Sequence, residues 1–347
     1  NNYISVQAED ELAAVGMAIG ANWNGARGFT ATSGPGISLM SEFLGLAYFA
    51  EVPLVIFNIQ RGGPSTGMPT RTQQSDILSC AYASHGDTKH VLLFPEDPQE
   101  CFEFSAEAFN LAERLQTPVF VISDLDIGMN DWVTDKFEWD DEQKYDRGKV
   151  LKAEDLDKMD NFGRYLDVDD DGICYRTYPG THPEKGAFFT RGTSHDEYAR
   201  YTENGDINEQ TLTRLVKKFR TASELVPDPI INLSEKQGSS GVIFYGSTSA
   251  AMYEAKDILN ENNIEVDLMR IRSFPFNLDV WEFIENHDLI YVIEQNRDSQ
   301  MRTLIMAEGG ISAEKLRSLV WFNGDPIQAK FIAKKIYERE SQQALIT

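Results

Sequence analysis

The run from Pro53 to Ile59 is apolar at every position except Asn58, and Gln60-Arg61-Gly62-Gly63-Pro64 follows it at once. A strand wetted on one face would alternate, so this pattern predicts a strand buried on both faces, as in a parallel sheet covered by helices. The flanking sequence fits the same scheme. Tyr3 to Val6 reads as a short strand, Asp10 to Asn22 as a helix of small residues, Gly28 to Thr32 as a strand and Ile37 to Phe49 as a helix. Beyond the arginine loop come a helix from Asp76 to Ala83, a strand from His90 to Phe94, an amphipathic helix from Pro98 to Leu115 and a strand from Pro118 to Ser123. Such alternation predicts a doubly wound α/β domain, in which ligands sit at the carboxyl ends of the strands.

From Asp131 to about Asn232 the sequence is charged, punctuated by Gly and Pro, and bears Trp132, Trp139, Tyr165, Tyr178 and Phe188. Those aromatics are too many for a disordered linker, so the segment is expected to pack against the rest of the molecule, with one helix from Glu209 to Arg220. Alternation resumes at Gly241, with strands at Val242 to Tyr245, Ile264 to Ile271 and Leu289 to Glu294. The expected organisation is therefore α/β, with two doubly wound domains at 1–130 and 233–347 joined by a long aromatic-rich connector at 131–232. A length of 347 residues suits two domains.

A net charge of -23 argues against nucleic acid and anionic membranes as partners, since both require clustered Lys and Arg. No apolar run approaches the roughly 20 residues of a membrane span. Cys80, Cys101 and Cys174 are odd in number and far apart, which fits reduced thiols in a cytoplasmic protein and offers no cluster ligand set. The chain opens Asn1-Asn2-Tyr3 without a methionine, so an upstream segment is expected.

Several residue groups carry two readings. Arg61, with Gly62, Gly63 and Thr70 around it, offers a planar donor fork to a carboxylate at a strand end, or else makes a structural ion pair in a turn. Glu9 either complements a helix dipole in its first turn or is a carboxylate held partly buried at a ligand cleft. Thr30-Ala31-Thr32-Ser33-Gly34-Pro35-Gly36 ends a strand where backbone N–H groups could meet a polar ligand, although it has no Walker lysine. Asp167-Val168-Asp169-Asp170-Asp171-Gly172 imitates a calcium loop, but Tyr178 stands where the closing glutamate belongs, so an acidic turn is expected. His85, His182, His195 and His287 belong to no recognisable triad or zinc pair. Glu294-Gln295-Asn296-Arg297 could be catalytic, interfacial or a loop after a strand.

Taken together, Gln7-Ala8-Glu9-Asp10-Glu11, Ala31-Thr32-Ser33-Gly34-Pro35-Gly36 and Gln60-Arg61-Gly62-Gly63-Pro64-Ser65-Thr66-Gly67-Met68-Pro69-Thr70 resemble the α subunit of thiamine-diphosphate-dependent 2-oxoacid:ferredoxin oxidoreductases, most of all the 2-oxoglutarate type. The likeness continues through Arg272-Ser273-Phe274-Pro275-Phe276 and Val292-Ile293-Glu294-Gln295-Asn296-Arg297. It implies that residues 1–130 form a pyrimidine-binding domain and residues 233–347 a transketolase C-terminal-like domain used in assembly. Glu9 matches the family's catalytic glutamate, which contacts the cofactor's pyrimidine nitrogen. Arg61 and Thr70 match residues that hold the substrate carboxylate, and Gly34 and Gly36 fall in the loop close to the cofactor.

The family's Tyr-Pro-Ile-Thr-Pro-like segment has no counterpart before Tyr3, so the pyrimidine domain is expected to lack its first βα unit. Gly86-Asp87, Gly205-Asp206 and Gly324-Asp325 do not fit the family's magnesium-diphosphate motif. The resemblance thus implies no metal on this chain. It implies instead a β subunit carrying Mg2+ and a [4Fe-4S] cluster, with thiamine diphosphate shared between the two. The implied reaction is oxidative decarboxylation of 2-oxoglutarate or a related 2-oxoacid with coenzyme A, giving acyl-CoA, carbon dioxide and reduced ferredoxin. Two alternatives are a subunit of another thiamine enzyme, such as a 2-oxoacid dehydrogenase or transketolase, and a non-catalytic α/β scaffold subunit.

Overall fold

The computed structural model describes residues 3–234 and 240–344; the expected outer limits at residues 1 and 347 lie outside the described residues. The long apolar run is a central strand. Strands β1 (Phe29–Thr32), β2 (Leu54–Gln60), β3 (Val91–Leu93) and β4 (Pro118–Asp124) form parallel pairs in the order β1-β2-β4-β3. Helices Glu11–Trp23 and Gly34–Phe49 cover one face, burying Val15, Met40 and Leu44, while Pro98–Leu115 covers the other with Phe104, Ala108 and Leu111.

The second sheet contains β5 (Ile230–Asn232), β6 (Ser240–Tyr245), β7 (Asp267–Ile271), β9 (Leu289–Glu294) and β10 (Leu316–Val320), in the order β10-β9-β6-β7-β5, whereas β8 (Ser273–Phe274) lies in the first. Among the described strands of the second sheet only β5 runs antiparallel. One residue after β7 the chain crosses over, and β8 joins the first sheet antiparallel to β3. Ile56 and Phe120 share one buried cluster with Ile243, Ile271 and Ile305, so the two sheets are held by a common core.

A buried ion cluster reinforces this crossing. Arg270, on β7, is 1% exposed and bonds both oxygens of Glu100 at 2.6 and 2.8 Å; Arg272 Nε donates to the same carboxylate at 2.9 Å. Bidentate geometry in a water-poor site makes such a pair costly to break, because removing one partner strands the other charge.

The connector packs back on the first sheet, as its aromatics led us to expect. Phe188 meets Trp23, and Phe137 stacks on Phe102. Its main helix, Gly205–Ala222, is capped by Asn204 and sends Arg214 and Lys218 to the fully buried Glu51.

One expectation fails and one element was missed. Tyr3 to Val6 is not a strand: Tyr3, Ile4 and Val6 are 90%, 88% and 62% exposed, and no described strand pairs with them. An extended segment without a ladder partner has nothing to hold it in a sheet. The helix Gln300–Gly309, anchored where Glu294 accepts the backbone N–H groups of Met301 and Arg302, was not anticipated at all. Among the described residues no helix is long and apolar enough to cross a membrane.

His90, just before β3, gives the fold a pH signature. Burial between Tyr48 and Phe120 pushes its imidazole down to about 4 from 6.5. The unfolded chain therefore takes up a proton that the native state refuses, so the contribution of neutral His90 is intact above pH 6.5 and is lost as pH falls toward 4. A His90→Phe variant should gain on the wild type by about 1.4 kcal/mol per pH unit over that window. Urea unfolding at several pH values checks this, and a pH-independent difference would contradict it.

Candidate functional site

Arg61 leaves the carboxyl end of β2 into a loop closed by Gly62 N–H donating to Arg71 O (2.8 Å) and Met68 N–H donating to Gly62 O (2.7 Å). The loop does not float. Its return limb is tied to the second sheet's side by Thr72 N–H to Gly324 O (3.2 Å) and by Gln74 N–H to Gln295 O (2.8 Å).

Gln74 is the hub of this brace. Its amide donates to Asp124 (3.4 Å), Tyr245 O (3.3 Å) and Ser247 (3.4 Å), and its oxygen accepts from Thr248 and from Gln295 N–H. The ends of β4, β6 and β9 thus converge on one buried amide. Gly246 is required here: its φ is +59°, and a Cβ would sit 3.0 Å from the Gln74 nitrogen. Ser247 donates to Asp124 at 2.6 Å, although burial still raises that carboxyl.

Beside Arg61 lies Asp76. Burial raises its pKa, opposed by a hydrogen bond from Asn58 (3.1 Å) and by the Arg61 charge. Both Asp76 oxygens lie 2.9 Å from where a Cβ on Gly34 would stand, and a Cβ on Gly36 would be 1.9 Å from Thr32 Oγ1 and 2.9 Å from Glu11 Cγ. Packing alone therefore demands Gly36. These contacts gather the start of the first helix, the first turn of the helix Gly34–Phe49, Asp76 and Arg61 along the carboxyl edge of β1 and β2, so Gly34 and Gly36 lie in that helix and not in a loop before it.

Arg61 is half-buried, and its Nε is buried without a hydrogen-bond partner among the described residues. Glu9 and Thr70 are exposed, and neither side chain makes a hydrogen bond or ion pair among the described residues. This corrects the expectation for Glu9 twice over. It is not partly buried within this chain, and it precedes the helix rather than lying in its first turn: Asp10 is the cap, accepting from Ala13 N–H at 2.8 Å, and Glu11 supplies the acidic first turn. The helix dipole is served without Glu9.

Elsewhere the candidates resolve into structural parts. The Asp167–Asp171 turn is half offset by Lys149, which pairs with Asp169 and Asp171, and by Lys217, which pairs with Asp167 and Asp170. His195 is buried against Tyr165 and Phe49, and His287 bridges Asp267 and Phe283 O. Glu294, Gln295 and Asn296 are buried in the seam between the sheets. Sequence reading missed Gln74 and Asp76. The polar Asn58 inside an apolar strand was the available signal for a polar cluster there.

A family model described as "Pyruvate flavodoxin/ferredoxin oxidoreductase, thiamine diP-bdg" matches residues 2–221. The chain is 33% identical to "2-oxoacid:ferredoxin oxidoreductase 2, subunit alpha" of Aeropyrum pernix over 99% of its own length and 53% of that protein. It is 35% identical to "2-oxoglutarate synthase subunit KorA" of Methanothermobacter thermautotrophicus, covering 84% of this chain and 76% of that one. Among solved structures it is similar to a 2-oxoglutarate:ferredoxin oxidoreductase from Magnetococcus marinus with 2-oxoglutarate, coenzyme A and succinyl-CoA bound, with a TM-score of 0.86, 28% identity, and coverage of 96% of this chain and 56% of that one. The chain spans about half the length of the first relatives it matches.

Proposed function

Because the chain belongs to the pyruvate flavodoxin/ferredoxin oxidoreductase family, we propose that it is the α portion of a 2-oxoacid:ferredoxin oxidoreductase acting on 2-oxoglutarate or a close relative, with coenzyme A as acyl acceptor. The observation that carries this reading is Arg61: a half-buried guanidinium at a strand's carboxyl end, with an N–H that nothing among the described residues uses. That geometry suits a carboxylate oxygen, and Thr70 adds a hydroxyl on the same loop. Anchoring the carboxylate fixes the neighbouring keto carbon and saves orientational entropy.

Glu9, on the same edge, is assigned to the pyrimidine nitrogen of thiamine diphosphate, where its carboxylate holds a proton. When bound, that cofactor supplies the ring that accepts the electron pair released with carbon dioxide. Gly34 and Gly36 bring the backbone close to it. Exposure of Glu9, Thr70, Tyr3, Ile4 and Met68 supports a site completed by another polypeptide, a β subunit carrying the Mg2+-diphosphate site and the [4Fe-4S] cluster. Residues 1–130 would then be the pyrimidine unit, 131–232 its brace and 233–347 the assembly unit, in the cytoplasm where ferredoxin is available.

Isolating the complete complex and assaying 2-oxoglutarate, pyruvate and branched-chain oxoacids tests the reading. Ferredoxin reduction dependent on both oxoacid and coenzyme A is expected, with 2-oxoglutarate preferred. Reduction of NAD in its place would move the chain to the dehydrogenases.

A further inference from the structure

A strand's length from Arg61, roughly 25 Å at 3.3 Å per residue, the opposite edge of the first sheet holds a second basic site. Arg164 and Arg176, both from the connector, are 2% and 4% exposed and line a narrow inner cavity of about 10 Å³ together with Asn22, Pro53 and Tyr178. Trp23, Thr177, Tyr178 and Phe188 wall both this void and an outer cavity of about 360 Å³ that opens to the surface.

The donors facing this space are unspent. Among the described residues, Arg164 gives one N–H to Glu51 O at 2.9 Å, but its Nε and Nη1 have no partner; Arg176 donates to Arg147 O at 3.0 Å, and its Nε has none. The Tyr178 hydroxyl is also buried and unpartnered. Rings of Tyr165 and Phe188 lie against the Arg164 guanidinium at 4.8 and 5.5 Å, and Tyr178 lies against Arg176 at 5.2 Å. Stacking uses the faces and leaves the in-plane N–H groups available.

Nor is the charge balanced locally. Glu51, which also lines the inner void, pairs with Arg214 and Lys218 and feels the Arg164 charge, while Glu113 pairs with Arg27 and Arg147 and, at 4.0 Å, with Arg176, so two carboxylates face six cations. Burial, together with the nearby Arg164 and Arg147 charges, pulls Arg176 below the usual arginine range. Two buried guanidiniums with unmade hydrogen bonds are expensive in a fold unless an anion or water meets them.

We propose that the connector holds a small-anion site, in which the phosphoryl or carboxylate group of a metabolite seated in the outer cavity is met by Arg164, Arg176 and the Tyr178 hydroxyl. The inner void admits about one water-sized atom, so the bound oxygen enters while the body of the molecule stays outside. Lys185, on the wall of the outer cavity, is held by Leu156 O and Met159 O, which accept from its ammonium.

The test is calorimetric titration of the full chain in its complex with inorganic phosphate and, separately, with acetate, at ionic strength matched by sodium chloride. We expect saturable uptake of at least one of the two anions, at one per chain. Arg176→Gln should weaken it at least tenfold and Tyr178→Phe several-fold. Phosphate without acetate, or the reverse, identifies the group recognised. Should Arg176→Gln fail to fold, Tyr178→Phe carries the comparison. Absence of saturable uptake of either anion by the wild type, the result for a cavity holding water only, overturns the proposal, as does unchanged affinity in the variants that fold.

Discussion

Glu9→Gln should lower turnover of the reconstituted complex by about 10²- to 10⁴-fold, the range for a positioned proton-transfer group, and should leave the melting temperature of the chain where it was. The two halves of this expectation have separate origins. Turnover should fall because the amide keeps the shape of the side chain but not the carboxylate that the proposed role places at the cofactor's ring nitrogen. Stability holds because Glu9 is exposed, makes no hydrogen bond or ion pair among the described residues, and cedes helix capping to Asp10 and the first-turn charge to Glu11. An exposed side chain of that kind is worth within about 0.5 kcal/mol. Steady-state assays of the complex, thermal melts, and calorimetry with thiamine diphosphate check it. Wild-type turnover with an unchanged cofactor stoichiometry would instead favour the scaffold reading.

The alternation of strand and helix was legible because buried parallel strands leave continuous apolar runs, and Leu54–Gln60 and Leu289–Glu294 are both of that kind. Amphipathic helices with strong stop signals, such as Pro98–Leu115, were legible to the residue. What could not be read was long-range. β8 is two residues long and owes its place to β3, some 180 positions earlier, and Arg270 is buried because Glu100 reaches it from the first unit. Tyr3 to Val6 has the right composition for a strand and no described neighbour to pair with. The candidate site shows the same division. That Arg61 stands in a loop after a buried strand is visible in the sequence, and Gly34 and Gly36 follow the partly exposed β1, whereas Gln74 matters only because two sheets close upon it, and local sequence carries no trace of the second.

Arg61→Ala should raise the KM for the oxoacid and lower kcat/KM by roughly 30- to 1,000-fold, the equivalent of about 2–4 kcal/mol for a charge-assisted anchor, with a smaller effect on kcat. Arg61→Lys should restore part of the loss, since it keeps the charge but not the planar fork. The competing account is that Arg61 exists to balance Asp76, whose carboxylate is buried close enough to feel its charge. The double variant Arg61→Ala, Asp76→Asn separates the two. Under the balancing account, removing both charges restores stability and activity together, because no buried carboxylate is left uncompensated. If Arg61 is the carboxylate anchor, stability returns and oxoacid affinity does not. Urea unfolding and kinetics with 2-oxoglutarate on the same preparations read both quantities, and full recovery of kcat/KM in the double variant would remove Arg61 from the substrate site.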